Sequence, residues 1–322
     1  MMFVVQILND IYCLLINFLL ILTVKPFLRV LKQIVDIYSY EKFSYSLLEF
    51  TNYLFPQYAE KSKSANKEKY DIRVFRDTYD RRGMDLYFKY FSPEETVKNK
   101  SVLDFGCGVG GKDAEFLKYE PKKIVGIDLS ARNLKYAKEL INEENKEKLF
   151  FYKKDINSEK EKFDLIVSFT VFEHIDKELL QEIVNQMYRV LSIGGVAIIV
   201  FNHFKDKFGT HTSEYIYNPW PQMVFEDSII YGYWNKKLKE DKNVTVDSYF
   251  PPEYKHGIGE HNTDCFMNLN QVTIEEFERI IQSTKFKYER KYLYRQSFLC
   301  KLIPFICSDY LKGSAIYFLK KD

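Results

Sequence analysis

The apolar positions change rhythm along the chain. From Met1 to Val24 they run almost unbroken, with Gln6, Asp10, Cys13 and Asn17 recurring at helical spacing as a narrow polar stripe. That is the pattern of a helix that is mostly covered or lies in a membrane interface. Lys25, Arg29 and Lys32 then accompany Phe27, Leu28, Val30, Leu31, Ile34 and Val35, a basic amphipathic segment able to sit on anionic lipid. Tyr38 to about Phe55 and Tyr70 to Phe91 carry aromatic and aliphatic residues at helical intervals, separated by the charged stretch AEKSKSANKEK, which reads as a solvated loop. From Ser101 the period shortens. SVLDF, KIVGID, LFFYKKD, FDLIVSF and VAIIVF are short β-branched or aromatic runs separated by helical segments such as Ala131 to Glu144 and Lys177 to Leu191. Strands alternating with helices predict right-handed crossovers and a mainly parallel sheet, buried on both faces because the strands are nearly continuous in apolarity.

After Phe201 the alternation stops until about Leu269. This stretch holds Trp220, Trp234 and four of the five histidines, and is too long for an ordinary loop, so residues 202–268 are expected to fold as an insertion over one end of the sheet. Thr273 with Glu276 forms a capping box that starts a further helix, and Lys285 to Tyr294 and Ser314 to Lys320 are the last strand candidates. The organisation is therefore N-terminal helices at 1–40, a helical cap at 41–98, and an α/β domain at 99–322 carrying the insertion.

Charge narrows the partners. Among 322 residues, 47 lysines and arginines nearly balance 45 acidic residues, which leaves no footprint for a polyanion and speaks against nucleic acid. The five cysteines, Cys13, Cys107, Cys265, Cys300 and Cys307, are scattered and odd in number, which fits a reducing, cytoplasmic compartment better than a disulfide framework. No CxxC pair suggests zinc. The N-terminus leaves several readings open. Its longest uncharged stretch, Ile11 to Val24, is short for a spanning helix and lacks a basic start or a small-residue cleavage site, so residues 1–40 are compatible with spanning, with lying on a membrane surface, or with covering a soluble domain or a dimer face.

The chemistry concentrates at VLDFGCGVGG, residues 102–111, where Gly106, Gly108, Gly110 and Gly111 follow a strand and precede a helix. Glycine permits positive φ and leaves room for a ligand against the backbone, whose N–H groups at the helix start can bind polar groups. The next strand ends at Asp128, about 20 residues on, where a carboxylate can accept both ribose hydroxyls of a nucleoside. The third ends at Asp155, positioned for a purine amine. Three successive strand ends thus offer what a nucleoside needs, at the edge where open α/β sheets bind ligands. A dinucleotide is disfavoured against S-adenosylmethionine, because the turn is GxGxGG and the acidic Asp104 precedes it, which suits an ammonium group and not a pyrophosphate.

VLDFGCGVGG, IVGIDLS, KKDI, FDLIVSFTVFEHI and MYRVLSIGGVAIIV, in this order and spacing over about Ser101 to Phe201, resemble the class I S-adenosylmethionine-dependent methyltransferases, in particular their type 11 small-molecule branch. TIEEFERIIQSTKFK is similar to the family's last helix and sixth strand, while residues 1–90 and the insertion match nothing diagnostic. The resemblance implies a Rossmann-like, doubly wound seven-stranded sheet with a reversed last strand, and S-adenosyl-L-methionine as cofactor. It further implies that Asp104 faces the methionine amino group, Gly106, Gly108 and Gly110 shape the turn, Asp128 holds the ribose, Asp155 and Ile156 border the adenine, and Ser168 and Phe169 touch the methionine part or the acceptor. Cys107 reads as a small filler.

Methyl transfer from a sulfonium needs alignment and exclusion of water, and a hydroxyl acceptor also profits from a base near neutrality. The candidates are His174 in FEHI and His203 and His211 after strand five, with a polar loop as the bland reading of the last two. His256 and His261 with Asp264 have no standard metal spacing. Tyr215, Tyr217 and Trp220 either wall an apolar substrate or pack the cap. The acceptor class is a small molecule or a sugar- or lipid-linked intermediate. Alternatives are cyclopropane-synthase-like lipid chemistry, where a pair such as Glu173 and His174 sits near a bicarbonate, and a catalytically silent binding protein of the same fold.

Overall fold

The computed structural model describes residues 2–59, 70–81, 83–245, 248, 269–294 and 313–322. Its strands are β1 (Ser101–Phe105), β2 (Lys123–Asp128), β3 (Leu149–Lys153), β4 (Phe163–Phe169), β5 (Leu191–Phe201), β6 (Lys287–Tyr294) and β7 (Ser314–Lys320). They form one sheet in the order β3-β2-β1-β4-β5-β7-β6. The first five strands are parallel, and β7 runs antiparallel between β5 and β6, so the expected seven-stranded sheet with a reversed last strand is present. The order steps outward from β1 to β3 and then jumps back to place β4 on the other side of β1. That reversal opens a crevice at the carboxyl ends of β1 and β4.

Alternating residues of the central strands feed two cores. On one face Leu103, Ile166 and Ile199 pack with α8 (Leu180–Val190) and α10 (Ile274–Gln282). On the other, Val102, Leu165 and Ile198 pack with α4 (Met84–Tyr90), α6 (Gly111–Leu117) and α7 (Ala131–Lys138). The capping box at Thr273 and Glu276 starts α10 as read from the sequence. The helix expected to reach Glu144 stops at Lys138. Asn142 and Asn145 build a side-chain turn there, Asn145 Oδ1 accepting from Asn142 N at 2.8 Å and Asn145 Nδ2 donating to Leu140 O at 2.9 Å. Leu191, expected to end α8, is the first residue of β5, and Lys177–Leu179 is a separate 3₁₀ turn.

The N-terminal segment is one continuous helix, α1 (Met2–Ile34), followed by α2 (Ile37–Tyr53), whose start is capped by Asp36 accepting from Ser39 N. Position 40, the expected limit of the N-terminal helices, lies inside α2. Both helices share a core with the insertion: Leu20, Leu28, Tyr40 and Leu48 pack against Phe204, Ile230 and Trp234, the last two from α9 (Asp227–Glu240). Between these helices and the sheet runs a strap made of α3 (Ile72–Phe75), a π-helical turn at Arg76–Asp80, and α4, followed by the single turn α5 (Pro93–Thr96). His256, His261 and Asp264 lie outside the described residues.

Candidate active site

Backbone geometry explains the glycine turn more sharply than its sequence does. Gly106, Gly108 and Gly110 all have positive φ, of 76°, 56° and 79°. A Cβ on Gly106 would stand 2.3 Å from Val171 Cγ2, and one on Gly110 would meet Phe151 and Leu140. These two are glycine because protein packs against them. Only at Gly108 does the missing side chain face open space, with nothing within 4 Å. The start of α6 is not left to a ligand either: Gly111 N donates to Asp80 Oδ2 of the strap at 2.9 Å. Asn99, Glu120, Thr170, His211 and Trp220 are the non-glycine residues with positive φ among those described, and Thr170 and His211 flank the site.

Beneath the turn sit three carboxyl groups and one ammonium. Asp104, at the end of β1, and Asp113, in the first turn of α6, are buried at 1% and 0% exposure. Asp104 Oδ2 and both Asp113 oxygens lack a hydrogen bond of good geometry. Burial raises both pKa values; at Asp104 the Lys112 ammonium opposes the rise and the charges of Asp80 and Asp128 add to it, and at Asp113 the charge of Asp104 adds to it. Lys112 forms an ion pair with Asp80 and lies over the Phe169 ring at 5.6 Å. Burial alone would lower its pKa, but Asp80 and Asp104 hold it above the ordinary value. Cys107 is buried and its thiol is pushed well up by burial, in keeping with a filler.

Asp128 closes the opposite side. Its Oδ2 accepts from Gly108 N at 2.9 Å and its Oδ1 from Ser130 N at 2.7 Å, which ties β2 to the turn. Burial raises its pKa and these N–H groups oppose the rise. Each oxygen keeps a second lone pair. Asp155 is exposed, and its carboxylate caps a short turn by accepting from Asn157 N at 2.7 Å. Ile156 is fully buried in the core, and its carbonyl accepts from Arg189 Nη2 at 3.0 Å. Ser168 is buried on β4 with its Oγ unpartnered, in register with Ile199 of β5.

Of the three histidines, His211 and His174 come together. The His174 and His211 rings meet edge to face at 5.4 Å, and His211 Nε2 lies 4.0 Å from Glu173 Oε1. Glu173 is 1% exposed, neither oxygen has a hydrogen bond of good geometry, and Asn202 borders it. Burial drives its pKa up to about 8 against the opposing Asn202 contacts, so near neutrality it is a carboxylic acid. Asn270 fixes its place: Nδ2 donates to Phe172 O and Ile175 O, both at 2.7 Å, and the Asn270 N–H donates to Glu173 O at 2.8 Å. His203 is wholly enclosed where the insertion begins, its carbonyl accepting from Asp206 N at 2.9 Å. Trp220 is buried against Cys13 and Phe55, and the Tyr215 hydroxyl donates to Asp241 Oδ2 at 3.0 Å, so both pack the cap.

Lys112, Asp113 and Asp80 are absent from the sequence reading. The first two directly follow the glycines, and a Lys-Asp pair in the first turn of a helix behind an acidic strand end is a readable signal. Asp80 is 31 residues from Gly111 and only the fold joins them.

Residues 102–195 match the family model described as Methyltransferase domain. An uncharacterized protein of Rickettsia prowazekii is 32% identical over 114 residues, 34% of this chain and 44% of that protein. The ubiquinone biosynthesis O-methyltransferase of Pelagibacter ubique is 27% identical over 135 residues, 41% of this chain and 55% of that enzyme. The chain therefore spans about half the length of these curated relatives. A solved S-adenosylmethionine dependent methyltransferase from Mesorhizobium loti aligns with 74% of this chain and 98% of its own, at 13% identity and a TM-score of 0.46. The glycine turn and the acidic strand ends fall within the matching stretch, and residues 102–195 carry a methyltransferase domain similar to those of class I S-adenosylmethionine-dependent enzymes.

Proposed function

We propose that this protein transfers the methyl group of S-adenosyl-L-methionine to an oxygen or nitrogen of a small-molecule, sugar- or lipid-linked acceptor in the cytoplasm. The observation that carries the reading is the set of carboxyl groups beneath the turn: Asp104 Oδ2 and both Asp113 oxygens are buried with no well-formed hydrogen bond, and Gly108 in the turn above them faces open space. Buried carboxyl oxygens without partners are costly, and a ligand bearing a fixed positive charge and N–H donors relieves that cost. A pyrophosphate would aggravate it. The residues present therefore fit the cofactor, whose bound sulfonium supplies an electrophilic methyl group.

Asp104 would take the ammonium, with Asp113 and Lys112 behind it setting the local charge. Asp128 would accept the two ribose hydroxyls through its free lone pairs, held in line by Gly108 N and Ser130 N. Asp155 and the backbone at Ile156 would border the base, and Ser168 would face the reacting end. The insertion and the N-terminal helices supply the cover that excludes water. On the acceptor side His211 is best placed to receive a proton. Glu173, neutral near pH 7, lies 4.0 Å from its Nε2 and leaves the ring without a facing carboxylate charge, and His174 packs against that ring. His203, enclosed as it is, acts by shaping the loop that presents His211.

Incubation with cofactor labelled in its methyl group, separately with aqueous and organic-phase cell extracts, tests the reading. Label must move to an extractable acceptor and His211→Ala must slow the transfer. Cofactor binding without transfer to any fraction would favour a silent binding protein.

A further inference from the structure

Helix α1 meets the protein through a mixed stripe, in which Cys13, Leu20 and Leu28 are buried beside polar side chains, and it is apolar where it meets solvent. Its inward stripe is a seam of contacts that advances in step with the insertion. Asp10 Oδ1 pairs with Lys207 Nζ at 3.0 Å, Asn17 Nδ2 donates to Pro219 O at 2.9 Å, Lys25 Nζ to Met223 O at 2.9 Å, and Lys32 Nζ pairs with Glu226 Oε2 at 2.6 Å. Asn17 is 1% exposed. The outward face carries Leu8, Tyr12, Leu15, Leu19, Leu22 and Val30, between 43% and 60% exposed. Phe27 meets Phe43 of α2 edge to face at 5.7 Å, which extends the apolar surface onto the second helix. A helix on a soluble protein keeps its solvent side polar, and an apolar patch of such extent marks an interaction surface.

Two features specify the occupant. No charged residue occurs from Ile11 to Val24, and past it Arg29 stands exposed at the edge of the face, while Lys25 and Lys32 are engaged in the seam. That is an apolar stripe with a guanidinium at its edge, complementary to acyl chains beneath anionic headgroups. A second protein copy would require hydrogen-bonding groups, about one bond per 100–200 Å². Between Leu8 and Leu22 the outward face offers one hydroxyl, that of Tyr12, already donated to Leu54 O at 2.9 Å. The stretch Leu8–Ile34, 27 residues at mean hydropathy 2.1, is long enough to cross a bilayer. Crossing would tear open the whole seam and leave Asp10 and Asn17 unpaired in hydrocarbon.

We propose that α1 lies in the plane of an anionic membrane surface, its outer face among the acyl chains and Arg29 against the headgroups, with the seam to the insertion, Lys25 and Lys32 included, intact. This seating stands independently of the methyl-transfer reading, because it rests on the outer surface and not on the crevice.

Flotation of full-length protein with phosphatidylcholine vesicles, with and without phosphatidylglycerol at roughly three parts in ten, tests it. The protein floats with the anionic vesicles, added salt weakens that binding, and Arg29→Glu removes most of its salt-dependent part. Leu15→Glu with Leu22→Glu weakens partitioning by roughly a hundredfold or more. Both positions are exposed, so circular dichroism and the melting temperature stay those of the parent. In a Leu19→Trp variant, brominated lipids quench most strongly with bromine near the headgroup. Failure of the parent to float, unchanged flotation of the double variant, or sedimentation as a dimer without vesicle binding would overturn the proposal. Strongest quenching at the bilayer centre together with resistance to alkaline carbonate would replace it with a spanning helix.

Discussion

Replacing Glu173 by glutamine removes a buried carboxyl group while keeping its shape, and the effect on stability should depend on pH in a calculable way. The side chain is 1% exposed, so solvent screening does not discount the effect. Its folded pKa is raised from an ordinary 4.5 to about 8. The folded state therefore holds a proton that the unfolded chain releases once the pH passes the ordinary value. Stability from this group is fully present below that value and is lost as pH rises through about 8. Each pH unit inside the window is worth about 1.4 kcal/mol, so between about pH 5.5 and pH 7 the parent loses about 2 kcal/mol relative to Glu173→Gln. Urea unfolding of both proteins across that interval, compared at their midpoints, reads the difference directly. Every other ionisable group is common to both proteins and cancels unless coupled to Glu173. Parallel pH profiles would refute the neutral acid. A parent that gains stability with pH relative to the variant would show instead that Glu173 is ionised and paired with a protonated His211.

Gly106→Ala places a Cβ 2.3 Å from Val171 Cγ2 at a φ of 76°, and thermal unfolding should register a loss of about 3 kcal/mol or more. Adding Val171→Ala relieves the clash but not the backbone strain, so only part of the loss returns. The equivalent change at Gly108 meets open space and should cost stability only about 1 kcal/mol, while weakening cofactor binding in a titration much more. Asn17→Ala strips one buried partner from the α1 seam and should lower stability by about 1–3 kcal/mol, measured by urea unfolding.

The sequence made the sheet readable because its strands are continuous apolar runs between helices with recognisable caps. β7 has the bounds expected, Ser314–Lys320, and the box at Thr273 and Glu276 is formed. Helix ends were less legible: side-chain turns such as that of Asn142 and Asn145 override periodicity. At the site, residues adjacent to the glycines in sequence or at strand ends could be read. Asp80 could not, since its role arises from a strap folding back over the turn. The meaning of the glycines also needed the fold, because packing against Val171 or Phe151 and openness to a ligand leave the same letter in the chain. For α1 the polar stripe was visible, but only the positions of Lys207, Pro219, Met223 and Glu226 tell which way it faces.

Calorimetric titration of the full-length protein with S-adenosylmethionine, and in parallel with NAD, measures the central claim, that carboxyl groups at the ends of β1 and β2 hold an adenosyl sulfonium across Gly108. Saturable binding of the former alone is expected. Asp128→Asn, with its fold verified by circular dichroism, should weaken that binding by at least about a hundredfold, the loss of two hydrogen bonds to a charged acceptor. Indifference to S-adenosylmethionine, preference for NAD, or undiminished affinity in Asp128→Asn would contradict the account.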